Sequence, residues 1–161
     1  MDMPYYFINP GELIFSKKPI FIRTVLGSCV AVVLYDRVKK YAGLVHYLLP
    51  QSPDKSVSTK FGDVAVSTLI NKFTNAGSVI SNLDAHIAGG AFIIFDDSEI
   101  FFIGDRNIEI AQNTLKANNI RVRSTNTGGE RGRRLTFDSS ENKLTVSVID
   151  KMQIDDLYES K

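Results

Sequence analysis

One stretch limits the folds open to this chain more than any other. Val30 to Tyr35 (VAVVLY) is apolar or aromatic throughout, and half of it is β-branched. A strand with one wet face alternates, so this run reads as a strand buried on both faces. It is entered through Gly27-Ser28 and Cys29 and left through the polar turn DRVKK, Asp36 to Lys40. Before it, Ile20 to Leu26 is a β-rich segment. After it, Tyr41 to Leu49 forms a third strand that ends at Pro50. Both connections are too short for a crossover helix, so the three strands are expected as an antiparallel meander.

The remaining pattern alternates helices and strands. Residues 1–12 read as a peripheral tail broken by Pro4, Pro10 and Gly11, with a short strand expected near Leu13–Phe15. Gln51 to Lys60 is a polar loop. Phe61 to Ala76 then repeats Phe61, Val64, Ala65, Leu69 and Phe73 at helical spacing, with Ser58 or Thr59 as cap and Gly77 as stop. Leu83 to Phe95 reads as a strand interrupted by Gly89-Gly90, a pair that marks a bulge or a close backbone approach. Asp96-Asp97-Ser98 turns the chain into the apolar run Ile100 to Ile103. A second helix is expected over Arg106 to Asn118, capped by Asp105, with Ile108, Ala111 and Leu115 on its buried side. Ile120 to Ser124 reads as a strand, and Thr125 to Arg134 as a Gly-rich basic loop. Leu135 to Phe137 resumes an extended pattern. Lys143 to Ile149 alternates Leu144, Val146 and Val148 inward with Thr145 and Ser147 outward. Residues 150–161 form a second peripheral tail. The pattern is that of one α/β domain over 1–161, with two helices and many strands.

Composition removes several function classes. A formal net charge of +1 gives no global attraction to nucleic acid or to anionic membranes. No apolar run approaches the roughly 18–20 residues of a membrane helix, and the N-terminus lacks a signal-peptide pattern. A cytoplasmic location is expected. Cys29 is the only cysteine, so neither an internal disulfide nor a cysteine-based zinc site can form. With two histidines beside it, the donor set argues against a catalytic metal centre.

That cysteine is the leading chemical candidate. It follows a Gly-Ser pair whose backbone can turn and present N–H groups to a developing oxyanion. It sits at the head of the buried strand, and His46 lies on the next apolar segment, AGLVHYLLP. Imidazole beside a thiol supplies the base and the acid that acyl transfer needs. The plain alternative is a structural cysteine packed as a small hydrophobe. His86 competes with His46 as base, and a core histidine bound to a carbonyl is the plain reading of either. Thr24, Ser28 and Thr59 are candidates to orient the imidazole or bind substrate. Gly27 and Ser28 are the candidate oxyanion or substrate-binding positions. The TGGERGRR loop (Thr127 to Arg134) has glycine amides with Arg131, Arg133 and Arg134, which suit an anion. It lacks the lysine and hydroxyl residue of a P-loop, so a basic turn that organises neighbouring loops is the better reading.

Taken together, the blocks LGSCVAVVLYD, AGLVHYLLP, KFGDVAVSTLINKF, HIAGGAFIIF, IGDRNIE and NTGGERGRR resemble the chemoreceptor glutamine deamidases of bacterial chemotaxis, the CheD family. They occur in the family's order and span nearly the whole chain. The resemblance implies an α+β layered sandwich of packed, largely antiparallel β-sheets with two main helices on one side, shared with the deamidase domain of cytotoxic necrotizing factor toxins. It implies hydrolysis of glutamine side chains on methyl-accepting chemotaxis receptors, with no cofactor. It places the nucleophile on Cys29, the histidine on His46 and the upstream threonine on Thr24. It also implies a CheC-type phosphatase of the phosphorylated regulator CheY as a partner. A binding regulator of such a phosphatase is the rival function, and an anion-binding module built on the Gly/Arg loop is a third.

Overall fold

The computed structural model describes residues 3–53, 57–92, 103–150 and 154–158. Its elements, in order, are β1 (Tyr5–Phe7), β2 (Leu13–Ser16), β3 (Phe21–Leu26), β4 (Val30–Asp36), β5 (Ala42–Tyr47), α1 (Gly62–Asn75), β6 (Leu83–Gly89), α2 (Ile103–Ala117), β7 (Arg121–Thr127), β8 (Gly132–Asp138) and β9 (Lys143–Ile149). They form a four-stranded sheet, β1-β3-β8-β9, packed on a five-stranded sheet, β2-β5-β4-β6-β7. Both helices cover the far face of the five-stranded sheet. β1–β3 and β6–β7 pair in parallel, and the other ladders are antiparallel. The layered, largely antiparallel sandwich with its helices on one side is therefore as expected.

β4 is central and buried along its whole length. Val30, Val32 and Leu34 face the helices with Leu69, Phe73 and Leu115. Ala31 and Val33 face the other sheet with Ile22, Leu26 and Phe137. Each fully buried large aliphatic or aromatic side chain contributes about 1.5–3 kcal/mol. These two apolar layers, rather than surface ion pairs worth about 0–1 kcal/mol, hold the sheets and helices together.

α1 ends as its sequence suggests. Gly77 takes φ +96°, its N–H reaches Thr74 O, and Ser78 N–H reaches Phe73 O, which closes the last turn in a Schellman motif. Its start differs, because Phe61 is the N-cap residue and has no side-chain cap bond. The Thr59 hydroxyl instead donates to Gly11 O. α2 begins at Ile103, earlier than expected, so Asp105 lies in its first turn.

Four further expectations change. The meander is wrong at its first link. β3 pairs with β1 and β8 and belongs to the other sheet, so Gly27–Cys29 is a corner where the chain switches sheets, and only β4 and β5 form a hairpin. Within the expected N-terminal tail, Tyr5–Phe7 forms an edge strand and Ile8 is buried. Val148 is 54% exposed, and Ile149 is the buried residue at that end of β9. The expected strand through Phe95 stops at Gly89, and residues 93–102 lie outside the described residues.

Candidate active site

The sheet switch places the candidate residues on facing layers. Ile22, Thr24 and Leu26 alternate along β3 with their side chains in the inter-sheet core. Arg23 points the other way and lines a surface groove with Tyr5 and Arg134. Ala31 on β4 pairs with His46 on β5, so His46 shares the inter-sheet face with Ala31 and Leu44. Cys29 belongs to the same layer, two residues before Ala31. Cys29 immediately precedes β4, and its side chain packs in the inter-sheet layer onto which His46 faces. Thr24 meets His46 from the opposite sheet, with Oγ1 2.8 Å from Nδ1.

Both contacts of the Thr24 hydroxyl are hydrogen bonds for one imidazole tautomer only. The hydroxyl has one proton, and it donates that proton to Ile8 O at 2.7 Å. It therefore accepts from the ring, which assigns the histidine proton to Nδ1 and leaves the Nε2 lone pair unprotonated. Nε2 is buried and has no protein hydrogen-bond partner among the described residues. Burial pushes the His46 pKa down to about 4, partly offset by the Ile8 carbonyl. Burial also pushes the Cys29 thiol up to about 12, opposed by its own backbone N–H. The pair rests as neutral thiol and neutral imidazole. Cys29 is 6% exposed, and its electrostatic contact with the neighbouring Tyr47 helps to raise the phenol pKa.

All three carbonyls of the turn before β4 are held. Gly27 O accepts from Ala91 N at 3.0 Å, and Cys29 O from Gly90 N at 2.8 Å. Ser28 O accepts from Asn107 Nδ2 at 3.0 Å. The glycine pair is here a close backbone approach, as its sequence suggests. Gly89 has φ +107°, and a Cβ on it would lie 2.2 Å from Cys29 O. Gly104 lets the start of α2 come equally close, since a Cβ there would lie 2.4 Å from Gly90 O.

The expected loop over Thr125 to Arg134 is shorter, since β7 runs through Thr127 and β8 starts at Gly132, and Arg133 ties the neighbouring segments together from β8. Its guanidinium donates to Asn126 Oδ1 at 2.8 Å, Gly128 O at 2.7 Å and Gly89 O at 3.4 Å. Arg131 pairs instead with Asp150 at the surface. The structure does not bring His86 to the cysteine. His86 pairs with Val33, four residues along β4 from Cys29, or roughly 13 Å at the strand rise. Its Nδ1 lies 2.7 Å from Ser124 Oγ.

Sequence reasoning missed Asn107. It is fully buried in the α2 stripe, and its Nδ2 also donates to Leu48 O at 2.9 Å. The available signal was a polar residue three after Gly104 and four before Ala111, on the helix side that otherwise packs.

The family described as CheD chemotactic sensory transduction matches residues 48–148, a span that begins just after His46. Relatives extend the match through the cysteine turn. A protein named "Probable chemoreceptor glutamine deamidase CheD" from Methanococcus vannielii is 37% identical, over 86% of this chain and 92% of its own. Proteins of the same name from Sulfurimonas denitrificans and Rhodospirillum rubrum are 33% and 36% identical, over 95% and 92% of this chain and 99% and 84% of their own. No helix among the described residues is long and apolar enough to cross a membrane. Matched across most of its length by relatives at this identity, the chain belongs to the CheD family.

Proposed function

We propose that this protein hydrolyses glutamine side-chain amides of methyl-accepting chemotaxis receptors, giving glutamate and ammonia through a thioester on Cys29. The observation that supports the chemistry best is the Ile8–Thr24–His46 chain of hydrogen bonds, which leaves Nε2 as an unpaired base on the sheet face that carries the only thiol.

In the buried resting site a preformed thiolate–imidazolium pair is disfavoured. Proton transfer therefore accompanies attack: Nε2 takes the thiol proton as Sγ adds to the carboxamide carbon. The tetrahedral oxygen is held by backbone N–H groups of the turn, those of Ser28 and Cys29. On collapse the C–N bond breaks, and the Nε2 proton leaves with the nitrogen as ammonia. Neutral His46 next activates water, which hydrolyses the γ-glutamyl thioester to glutamate and restores the thiol. Thr24 keeps the ring oriented and in the productive tautomer, the part an acid plays in other nucleophile–histidine sites.

Ammonia release from a receptor cytoplasmic fragment tests this scheme. Cys29→Ala is expected to stay folded and release none. Thr24→Val is expected to slow release on the order of 10²-fold, by loss of tautomer control. Undiminished release from Cys29→Ala sinks the scheme. A CheC-type phosphatase remains part of the proposal as a partner, and stable co-elution with the Cys29→Ala protein is its expected sign.

A further inference from the structure

Asn107 is a fully buried polar side chain on a helix face otherwise packed against the sheet. Both protons of its amide nitrogen are used, one on Ser28 O and one on Leu48 O. Its own backbone carbonyl accepts from the Tyr47 hydroxyl. One residue of α2 thus ties the turn that carries Cys29 to the segment that carries His46, at the open end of the β4–β5 hairpin.

What the Ser28 carbonyl does on its other side matters more. A trans peptide is planar, with its C=O and the next N–H pointing in opposite directions, and no peptide among the described residues is cis. Asn107 approaches from the helix layer, so its hold on Ser28 O turns the Cys29 N–H away from the helices. That is the direction of the inter-sheet face, where Cys29 and His46 have their side chains.

We propose that Asn107 is a positioning residue for the oxyanion: through the Ser28 carbonyl, it aims the Cys29 N–H at the oxygen that becomes charged when Sγ adds to the substrate carbonyl. This rests on the thioester reading above. In that step the Sγ–C bond forms, the carbonyl π pair moves onto oxygen, and the thiol proton passes to His46 Nε2. The Cys29 N–H then donates to the oxyanion until the C–N bond breaks and ammonia leaves with the Nε2 proton. Asn107 touches none of the reacting atoms.

The test compares two rates in the full-length protein, for wild type, Asn107→Ala and Asn107→Ser. One is kcat and KM for deamidation of a receptor fragment. The other is the rate of Cys29 alkylation by iodoacetamide, a displacement at saturated carbon that develops no oxyanion. With the donor misaimed, kcat is expected to fall about 30- to 300-fold while KM and the alkylation rate each stay within about threefold. A kcat within about threefold of wild type overturns the assignment, as does alkylation that falls in step with kcat. Should Asn107→Ala fail to melt cooperatively, the same two rates in Asn107→Ser, which leaves a smaller gap, decide the matter. Failure of both to fold makes Asn107 a purely structural residue and also overturns the assignment. Cys29→Ala separates this from the parent reading. If wild type deamidates no faster than Cys29→Ala, the thioester itself is refuted.

Discussion

His46 and Cys29 are each held in their uncharged form by the core, with consequences on both sides of neutrality. His46 binds its proton near pH 4 in the fold and near 6.5 when exposed. Between those values the unfolded chain binds more protons, so stability falls as pH drops through that window. His86, also lowered by burial, adds to the same limb. The thiol titrates near 12 in the fold against 9.0 when exposed, so the folded chain binds more protons above pH 9 and stability falls as pH rises further. Urea unfolding at stepped pH is expected to show a plateau between about pH 6.5 and 9, with the His46 loss on the acid side on the order of 3 kcal/mol. His46→Gln should flatten much of the acid limb, and Cys29→Ala the start of the alkaline one, before the buried Tyr47 phenol, also raised, adds its own loss. An acid limb unchanged in His46→Gln contradicts the neutral, buried imidazole.

At the scale of elements, the site depends on backbone segments meeting without side chains between them. β6 ends in a glycine whose missing Cβ leaves room for the Cys29 carbonyl, and the first turn of α2 carries a glycine, Gly104, seated against Gly90. Gly89→Ala adds both a clash with backbone and a strained positive φ, each costing on the order of 1–3 kcal/mol. It is expected to lower the melting temperature by several degrees and to abolish deamidation, because the Cys29 turn has to move. Activity within about twofold of wild type would show that the turn is not held this way. The glycine pair was legible as a close approach because two adjacent glycines have few other uses inside a strand pattern. Its target was not legible, since the partner lies some sixty residues away in sequence. Asn107 stayed hidden because periodicity counts apolar positions, and a buried amide leaves a gap in the stripe that looks like surface.

At the scale of the whole molecule, the site lies on the seam between two sheets, with Thr24 on one and the hairpin that holds His46 on the other. The buried central strand, both helices and the first half of the β9 alternation, Leu144 and Val146, were readable from periodicity, which local side-chain burial imposes directly. Sheet membership was not. A three-residue link serves a hairpin and a sheet switch equally well, and only pairing with distant β8 decides between them. β1 was lost for a related reason, being three residues long and paired in parallel with β3. Thr24, Cys29 and His46 were visible as chemistry types, but their meeting in one inter-sheet layer is a product of the folded topology. The most direct test of that meeting is the mass of a receptor cytoplasmic fragment incubated with this protein in ordinary water and in ¹⁸O-water. Hydrolysis through the Cys29 thioester predicts a gain of about 1 Da per modified glutamine in ordinary water and about 3 Da in ¹⁸O-water, with no gain in either for Cys29→Ala. Equal gains with Cys29→Ala, or no gain with the wild type, would contradict it.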